Sequence, residues 1–183
     1  MEVIPLAIPD VKVIIPKKFG DNRGFFAETF SRQKLADCGI DAEFVQDNHS
    51  MSGAVGTIRA LHYQIGPQAQ AKLIRVLKGA VLDVAVDIRR DSPTFGQYVA
   101  EILSADNFKM MYVPTGFAHG FETLEPNTEV FYKVTRYYSP SHERGIRWND
   151  PAISVPWKVA AEKAVLSAKD QIAPMLAQVS ELF

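Results

Sequence analysis

The feature of this chain that most restricts its fold is its punctuation. Short apolar runs are broken again and again by Gly, Pro and Asn, and no run is long and periodic enough for a substantial helix. The runs predict strands over residues 11–15, 24–30, 55–64, 71–77, 81–88, 98–103, 109–113, 120–123 and 129–137. Lys78-Gly79 reads as a tight turn, which would join 71–77 and 81–88 as a hairpin. In the second of these runs Leu82, Val84, Val86 and Ile88 share one face, and Asp83 and Asp87 share the other. Ser31 predicts the cap of a short helix through Gln33, Leu35 and Ala36 that ends near Gly39. The Ala-rich tail, residues 159–183, has helical composition, but Pro174 limits any helix there. Many short strands around one core leave a sandwich, a barrel or a jelly roll.

Size and composition narrow the class. The 183 residues suit one domain, with 47% apolar and 22% charged residues, as in a globular protein. Twenty Lys and Arg against 21 Asp and Glu leave a net charge of −1, which excludes a bulk basic binder of nucleic acid but not a local cationic pocket. The single cysteine, Cys38, excludes an intrachain disulfide and a four-cysteine zinc site. Near the start, Glu2, Pro5, Pro9 and Asp10 interrupt any signal-like run. The best apolar stretch, residues 80–88, carries Asp83 and Asp87 and is too short to span a bilayer. The expectation is a cytoplasmic protein without a membrane segment.

Three clusters could carry chemistry. They are Arg59-Ala-Leu-His62-Tyr-Gln64 with Gln70 and Lys72 behind it, Val113-Pro-Thr-Gly-Phe-Ala-His119-Gly-Phe121, and Phe131-Tyr132-Lys-Val-Thr-Arg-Tyr-Tyr138 followed by Glu143. Strand alternation would point Arg59 and Leu61 one way and Ala60, His62 and Gln64 the other. A histidine taken alone is ordinarily a satisfied core or surface group, and a lone Arg or Lys is ordinarily surface charge.

The spacing Gly56…His62…Gly79 followed by Pro114-x-Gly-x-x-His119 resembles the two motifs of the cupin superfamily. That resemblance implies an all-β, cupin-like jelly-roll barrel with a few short peripheral helices. Metal-binding cupins carry His-x-His and a downstream Glu. Here the pair reads His62-Tyr63-Gln64, and the Glu position falls near Gln70 or Lys72. An amide is a poor metal ligand and an ammonium is none, so no metal is expected.

The rest of the chain narrows the match. Phe19-Gly-Asp-Asn-Arg23-Gly-Phe-Phe26, Phe44-Val-Gln46-Asp-Asn48-His-Ser50, Ile58-Arg-Ala-Leu-His-Tyr-Gln64, Asp83-Val-Ala-Val-Asp-Ile-Arg89, Ser92-Pro-Thr-Phe-Gly96, Pro114-Thr-Gly-Phe-Ala-His-Gly-Phe121, Ile146-Arg-Trp-Asn-Asp-Pro151 and Leu166-Ser-Ala-Lys-Asp170 together resemble the dTDP-4-dehydrorhamnose 3,5-epimerase family, in order and over nearly the whole chain. The resemblance implies a dTDP-linked 4-keto-6-deoxy sugar as substrate and a reaction that needs no cofactor. Carbons 3 and 5 flank the ketone, so their protons are acidic. Inversion needs a base on one face, an acid on the other and a cation for the enolate oxygen.

By that resemblance His62 is the base, Asp170 its carboxylate partner, Tyr132 the acid and Lys72 the enolate stabiliser. Arg23, Arg59 and Lys169 match diphosphate-binding positions, and Glu28, Gln46, Asn48, His119 and Glu143 match substrate contacts. Phe19, Phe26 and Tyr138 could stack on base or sugar, although aromatics at strand spacing more often fill cores. Asp83 is a candidate support for the site near His62. The resemblance also implies a homodimer in which residues 1–30 cross to the partner and carry Arg23, Phe26 and Glu28 into its site. The alternatives are an epimerase of carbon 3 or carbon 5 alone, a metal-dependent cupin, and a non-catalytic sugar-nucleotide binder. Residues 1–183 are expected to form one domain, with 159–183 an appendage and 171–183 peripheral.

Overall fold

The computed structural model describes residues 1–183. The chain runs β1 (Glu2–Pro5), β2 (Lys12–Ile15), β3 (Lys18–Asp21), β4 (Gly24–Ala27), α1 (Arg32–Asp37), β5 (Gln46–Ser52), β6 (Ile58–Gln64), β7 (Lys72–Lys78), β8 (Ala80–Asp87), β9 (Tyr98–Ser104), β10 (Met110–Val113), β11 (Phe117–Thr123), β12 (Thr128–Val134), β13 (Glu143–Gly145) and α2 (Ala168–Gln171), with three single-turn 3-10 segments. One sheet has the order β1-β2-β10-β7-β12-β5, and a second has β13-β6-β11-β8-β9. β3 and β4 pair apart as a hairpin. This is the jelly-roll architecture the cupin-like motifs imply. Ser31 caps α1 through its hydroxyl, as its position predicts.

The core has three parts. Ile74, Val76, Val81, Ala85, Met111, Phe117 and Phe121 fill the space between the two sheets. Ile14, Leu35, Ile40, Leu73 and Met110 pack under α1 on the outside of the six-stranded sheet. Leu82, Val84, Val86, Ile88, Trp148, Ile153 and Leu176 pack on the outside of the five-stranded sheet. With both faces covered, β8 is buried at all of its eight residues.

Several expectations fail for identifiable reasons. The Lys78-Gly79 hairpin does not form: β7 pairs with β10 and β12, and β8 pairs with β9 and β11. Gly79, at φ +76°, instead carries the chain from one sheet to the other beside Thr128. Turn chemistry specifies a reversal, not the sheet that receives it. β5 carries no apolar run because its inward side chains line a polar cavity and its outward ones meet solvent. The tail forms only short turns, as Pro174 predicts, but it is not peripheral. Leu176 is buried, the Tyr63 hydroxyl donates to the Glu181 carbonyl at 2.9 Å, and Arg90 N–H donates to the Phe183 carbonyl at 2.8 Å. The Ser92-Pro-Thr-Phe-Gly96 motif is structural as well: Ser92 and Thr94 hydroxyls donate to buried Asp87 at 2.6 Å each, beside the Arg89 guanidinium.

β6 departs from strict alternation. His119 stands opposite His62, yet Phe121 stands opposite Arg59, so two steps on β11 match three on β6. This bulge puts Arg59 and His62 on the same inner wall, while Ile58, Ala60, Leu61 and Tyr63 face the outer core. The alternation that would separate Arg59 from His62 is therefore wrong. The bulge rests on Gly120, where a Cβ would lie 2.7 Å from Ala60 Cα and 2.9 Å from the Arg59 carbonyl. Both are backbone atoms of a buried strand and cannot swing aside. Gly120→Ala is expected to destabilise the fold by about 1–3 kcal/mol through overpacking, read as a lower urea midpoint at unchanged slope.

Candidate active site

The inner faces of the sheets change character along their length. Apolar side chains meet over one part, and polar ones line a cavity of about 620 Å³ over the other. Arg59 and His62 reach it from β6, His119 from β11 and Glu143 from β13, all on the five-stranded sheet. Lys72 of β7 and Tyr132 of β12 reach it from the six-stranded sheet, and Lys169 and Asp170 from α2. A smaller recess beside it shares His62, Lys72, Tyr132 and Glu143 and adds Gln46, Asn48 and Tyr138. His62 and Tyr132 thus stand on opposite sheets, with Lys72 on the same wall as the tyrosine.

Several of these groups are fixed by hydrogen bonds. His62 Nε2 lies 2.6 Å from Asp170 Oδ1. The Ser167 hydroxyl donates to Asp170 Oδ2 at 2.9 Å and also caps α2 by accepting from Asp170 N–H. Burial pushes the Asp170 carboxyl up, but hydrogen bonding and charge from His62, with Ser167 and Lys169, outweigh it, so its pKa lies below the ordinary value. Asp170 is therefore a carboxylate at neutral pH. It fixes the Nε2–H tautomer of His62 and leaves Nδ1 as the basic nitrogen.

The other titratable groups are tuned in complementary ways. Burial raises the pKa of the Tyr132 phenol, against the pull of the Arg59 charge, so the group holds its proton at neutral pH. Burial brings Lys72 down to about 8, opposed by the charges of Asp83 and Glu143. Burial also lowers His119, against the attraction of Asp83, and keeps the imidazole neutral. Glu143 is raised by burial but lowered further by hydrogen bonds from Lys169, at 2.6 Å, and from the Tyr138 hydroxyl, at 3.0 Å. Gln46 donates to Asn48 and accepts from Tyr138 N–H.

The cupin metal position does not fit a metal. The Gln64 amide donates to the carbonyls of Gln68 and Tyr137, and its oxygen accepts from Ser139 N–H. Gln70 donates to the Arg136 carbonyl. No three His, Cys, Asp or Glu side chains converge as a ligand set.

Not every candidate gathers here. Arg23, Phe26 and Glu28 lie on or beside the β3–β4 hairpin, away from the cavity. Arg23 pairs with Asp21, and Glu28 pairs with Lys34. The hairpin exposes Phe19 (54%), Phe25 (58%) and Phe26 (69%). Asp83 supports His119, at 2.9 Å, rather than His62. Ser50, Phe121 and Ser167 line the cavity without having been read as site residues. Only Ser167 left a legible signal, the Ser-x-x-Asp spacing of a helix cap.

Comparison with known proteins points to one family. A family model described as dTDP-4-dehydrorhamnose 3,5-epimerase matches residues 5–178. The chain is 52% identical over 179 residues to the dTDP-4-dehydrorhamnose 3,5-epimerase of Salmonella typhimurium, covering 97% of each chain. It is 51% identical to that of Pseudomonas aeruginosa, covering 93% of each. Among solved structures, the Bacillus anthracis enzyme with TDP and PPi bound superposes at a TM-score of 0.92, with 50% identity and 95% and 98% coverage. The Legionella pneumophila enzyme in complex with dTDP-4-keto-L-rhamnose also superposes at 0.92, with 45% identity and 97% and 94% coverage.

Ser167→Ala tests the dyad. It leaves one oxygen of a buried carboxylate unpartnered, worth about 1.5 kcal/mol for a bond to a charged group, so kcat is expected to fall about tenfold with the fold intact. Steady-state kinetics alongside circular dichroism would check this.

Proposed function

The chain belongs to the dTDP-4-dehydrorhamnose 3,5-epimerase family, and we propose that its cavity inverts carbons 3 and 5 of dTDP-4-keto-6-deoxy-D-glucose to give dTDP-4-keto-L-rhamnose. The observation that carries this reading is the placement of a carboxylate-backed imidazole and a protonated phenol on opposite walls of one cavity, with an ammonium beside them. An epimerase must take a proton from one face of a carbon and return one to the other, and two walls supply the two faces.

In this reading His62 Nδ1 removes the proton from the carbon next to the ketone. Its electron pair moves into the ring, and the ketone oxygen becomes an enolate. The Lys72 ammonium meets that negative charge in a partly dry site, where it is worth more than in water. Asp170 stabilises the imidazolium. Tyr132 delivers a proton to the opposite face, and the ketone re-forms with inverted configuration. Between turnovers at the two carbons the imidazolium gives its proton to solvent and the phenolate takes one back, so two such cycles, at carbons 3 and 5, give the product. Arg59 and Lys169 suit the diphosphate, with Gln46, Asn48, His119, Tyr138 and Glu143 placed for sugar and base.

The exposed aromatic hairpin supports a homodimer. In that arrangement Arg23, Phe26 and Glu28 would complete the neighbour's site, and the three phenylalanines would lose their contact with water. No helix is long and apolar enough to cross a membrane. The single free cysteine suits a reducing compartment, which supports a cytoplasmic location.

Proton NMR in deuterium oxide would test the reaction. Incubation with dTDP-4-keto-6-deoxyglucose is expected to exchange the protons at both carbons, and His62→Ala is expected to abolish exchange at both. Exchange at one carbon would make this a monofunctional epimerase, and exchange at neither would reject the reaction. The shared site has its own test. Inactive His62→Ala and inactive Arg23→Ala chains, unfolded and refolded together, are expected to recover activity of about a quarter of wild type by random pairing, since one site in a mixed dimer is intact. Mixtures that stay inactive would remove the hairpin from the site.

A further inference from the structure

One buried carboxylate has no part in the mechanism above. Asp83 stands in the middle of β8 and is wholly buried. Its Oδ1 receives a hydrogen bond from His119 Nε2 at 2.9 Å. Its Oδ2 is also buried and has no hydrogen-bond partner. Leaving a carboxylate oxygen unpartnered in a protein interior is costly, so the position calls for a reason. Lys72 supplies one. Its ammonium lines the same cavity as His119, and its one hydrogen bond is a long 3.5 Å contact with the His62 carbonyl.

We propose that Asp83 is a positioning residue for the epimerisation, acting through two side chains: it holds His119 as the Nε2–H tautomer, leaving Nδ1 to accept from a sugar hydroxyl, and it keeps Lys72 an ammonium beside the enolate oxygen. This role rests on the reaction given above. The titratable and charged groups around Lys72 are Asp83 from β8, Glu143 from β13, Lys169 from α2, Arg59 and His62 from β6, His119 from β11 and Tyr132 from β12. Of the charges that favour the ammonium, Asp83 acts most strongly and Glu143 second, while Lys169 opposes it. Glu143 is already engaged by Lys169 and Tyr138, which leaves Asp83 as the carboxylate with a free oxygen. Without its charge, burial would take the amine further down, and a neutral amine stabilises no enolate.

Asp83→Asn keeps the shape of the side chain and removes its charge. In the wild type the alkaline limb of kcat/KM is expected near pH 8, where Lys72 loses its proton. In Asp83→Asn it is expected to move down by about one pH unit or more, with kcat/KM at pH 8 lower by roughly fivefold or more. Calorimetric binding of dTDP would show that the variant is folded. An unmoved limb in folded protein would overturn the role, whatever the loss in rate, because a purely structural part would lower activity without shifting the limb. A second reading needs no variant. Long-range proton–nitrogen NMR of histidine-labelled wild type, without substrate, is expected to show His119 as the neutral Nε2–H tautomer from pH 6 to 8; an Nδ1–H tautomer would overturn the proposal. Because that spectrum involves no turnover, its failure rejects the role of Asp83 alone. Absence of solvent exchange in the wild type rejects the epimerase reading instead.

Discussion

Charge has to be kept inside this barrel, and most of the architecture around the cavity serves that need. An ionised side chain taken out of water is stable only with compensating partners. Asp170 receives His62 on one oxygen and Ser167 on the other. Glu143 receives Lys169 and Tyr138. His119 rests on Asp83. Lys72 and Arg59 make no close ion pair in the cavity, and Lys72 is the group whose charge the reaction uses. A carboxylate in direct contact would hold the ammonium and compete with the enolate oxygen for it.

The same need explains why the chain folds back over itself so completely. The site draws on both sheets and on α2, which belongs to a tail with little regular structure. That tail covers the outside of the five-stranded sheet and seats Leu176 among Trp148 and Ile153. The apolar contact therefore does two things at once. It buries one face of β8, and it delivers Asp170 to His62. Stability and catalysis share this segment, so loosening the outer core would also loosen the base.

Much of the fold was legible because strands covered by neighbouring layers carry short apolar runs bounded by turn residues. The runs that became β7, β8, β9 and β10 are of this kind. What was not legible follows from polar function. β5 looks like a loop because Gln46, Asn48 and Ser50 face the cavity and Asp47, His49 and Met51 face outward. β6 breaks alternation because its bulge over Gly120 depends on a strand nearly sixty residues further along. Local pattern cannot register a partner at that distance. Lys78-Gly79 shows a related limit, since a reversal can end in either of two sheets.

The motifs by themselves determined the chemistry available: an imidazole, a phenol, an amine and a carboxylate, with an amide where a metal-binding relative carries a ligand. They identified the family because these groups recur in order along the whole chain. Only the tertiary structure decided which groups meet. It seated Asp170 against His62, as the resemblance implies, but paired Asp83 with His119, turned Arg59 onto the same wall as His62, and left Arg23, Phe26 and Glu28 outside the cavity. The physical reason is that pairing of buried charge is settled by distance in space, and distance is set by sheet register and by the tail that closes over the barrel.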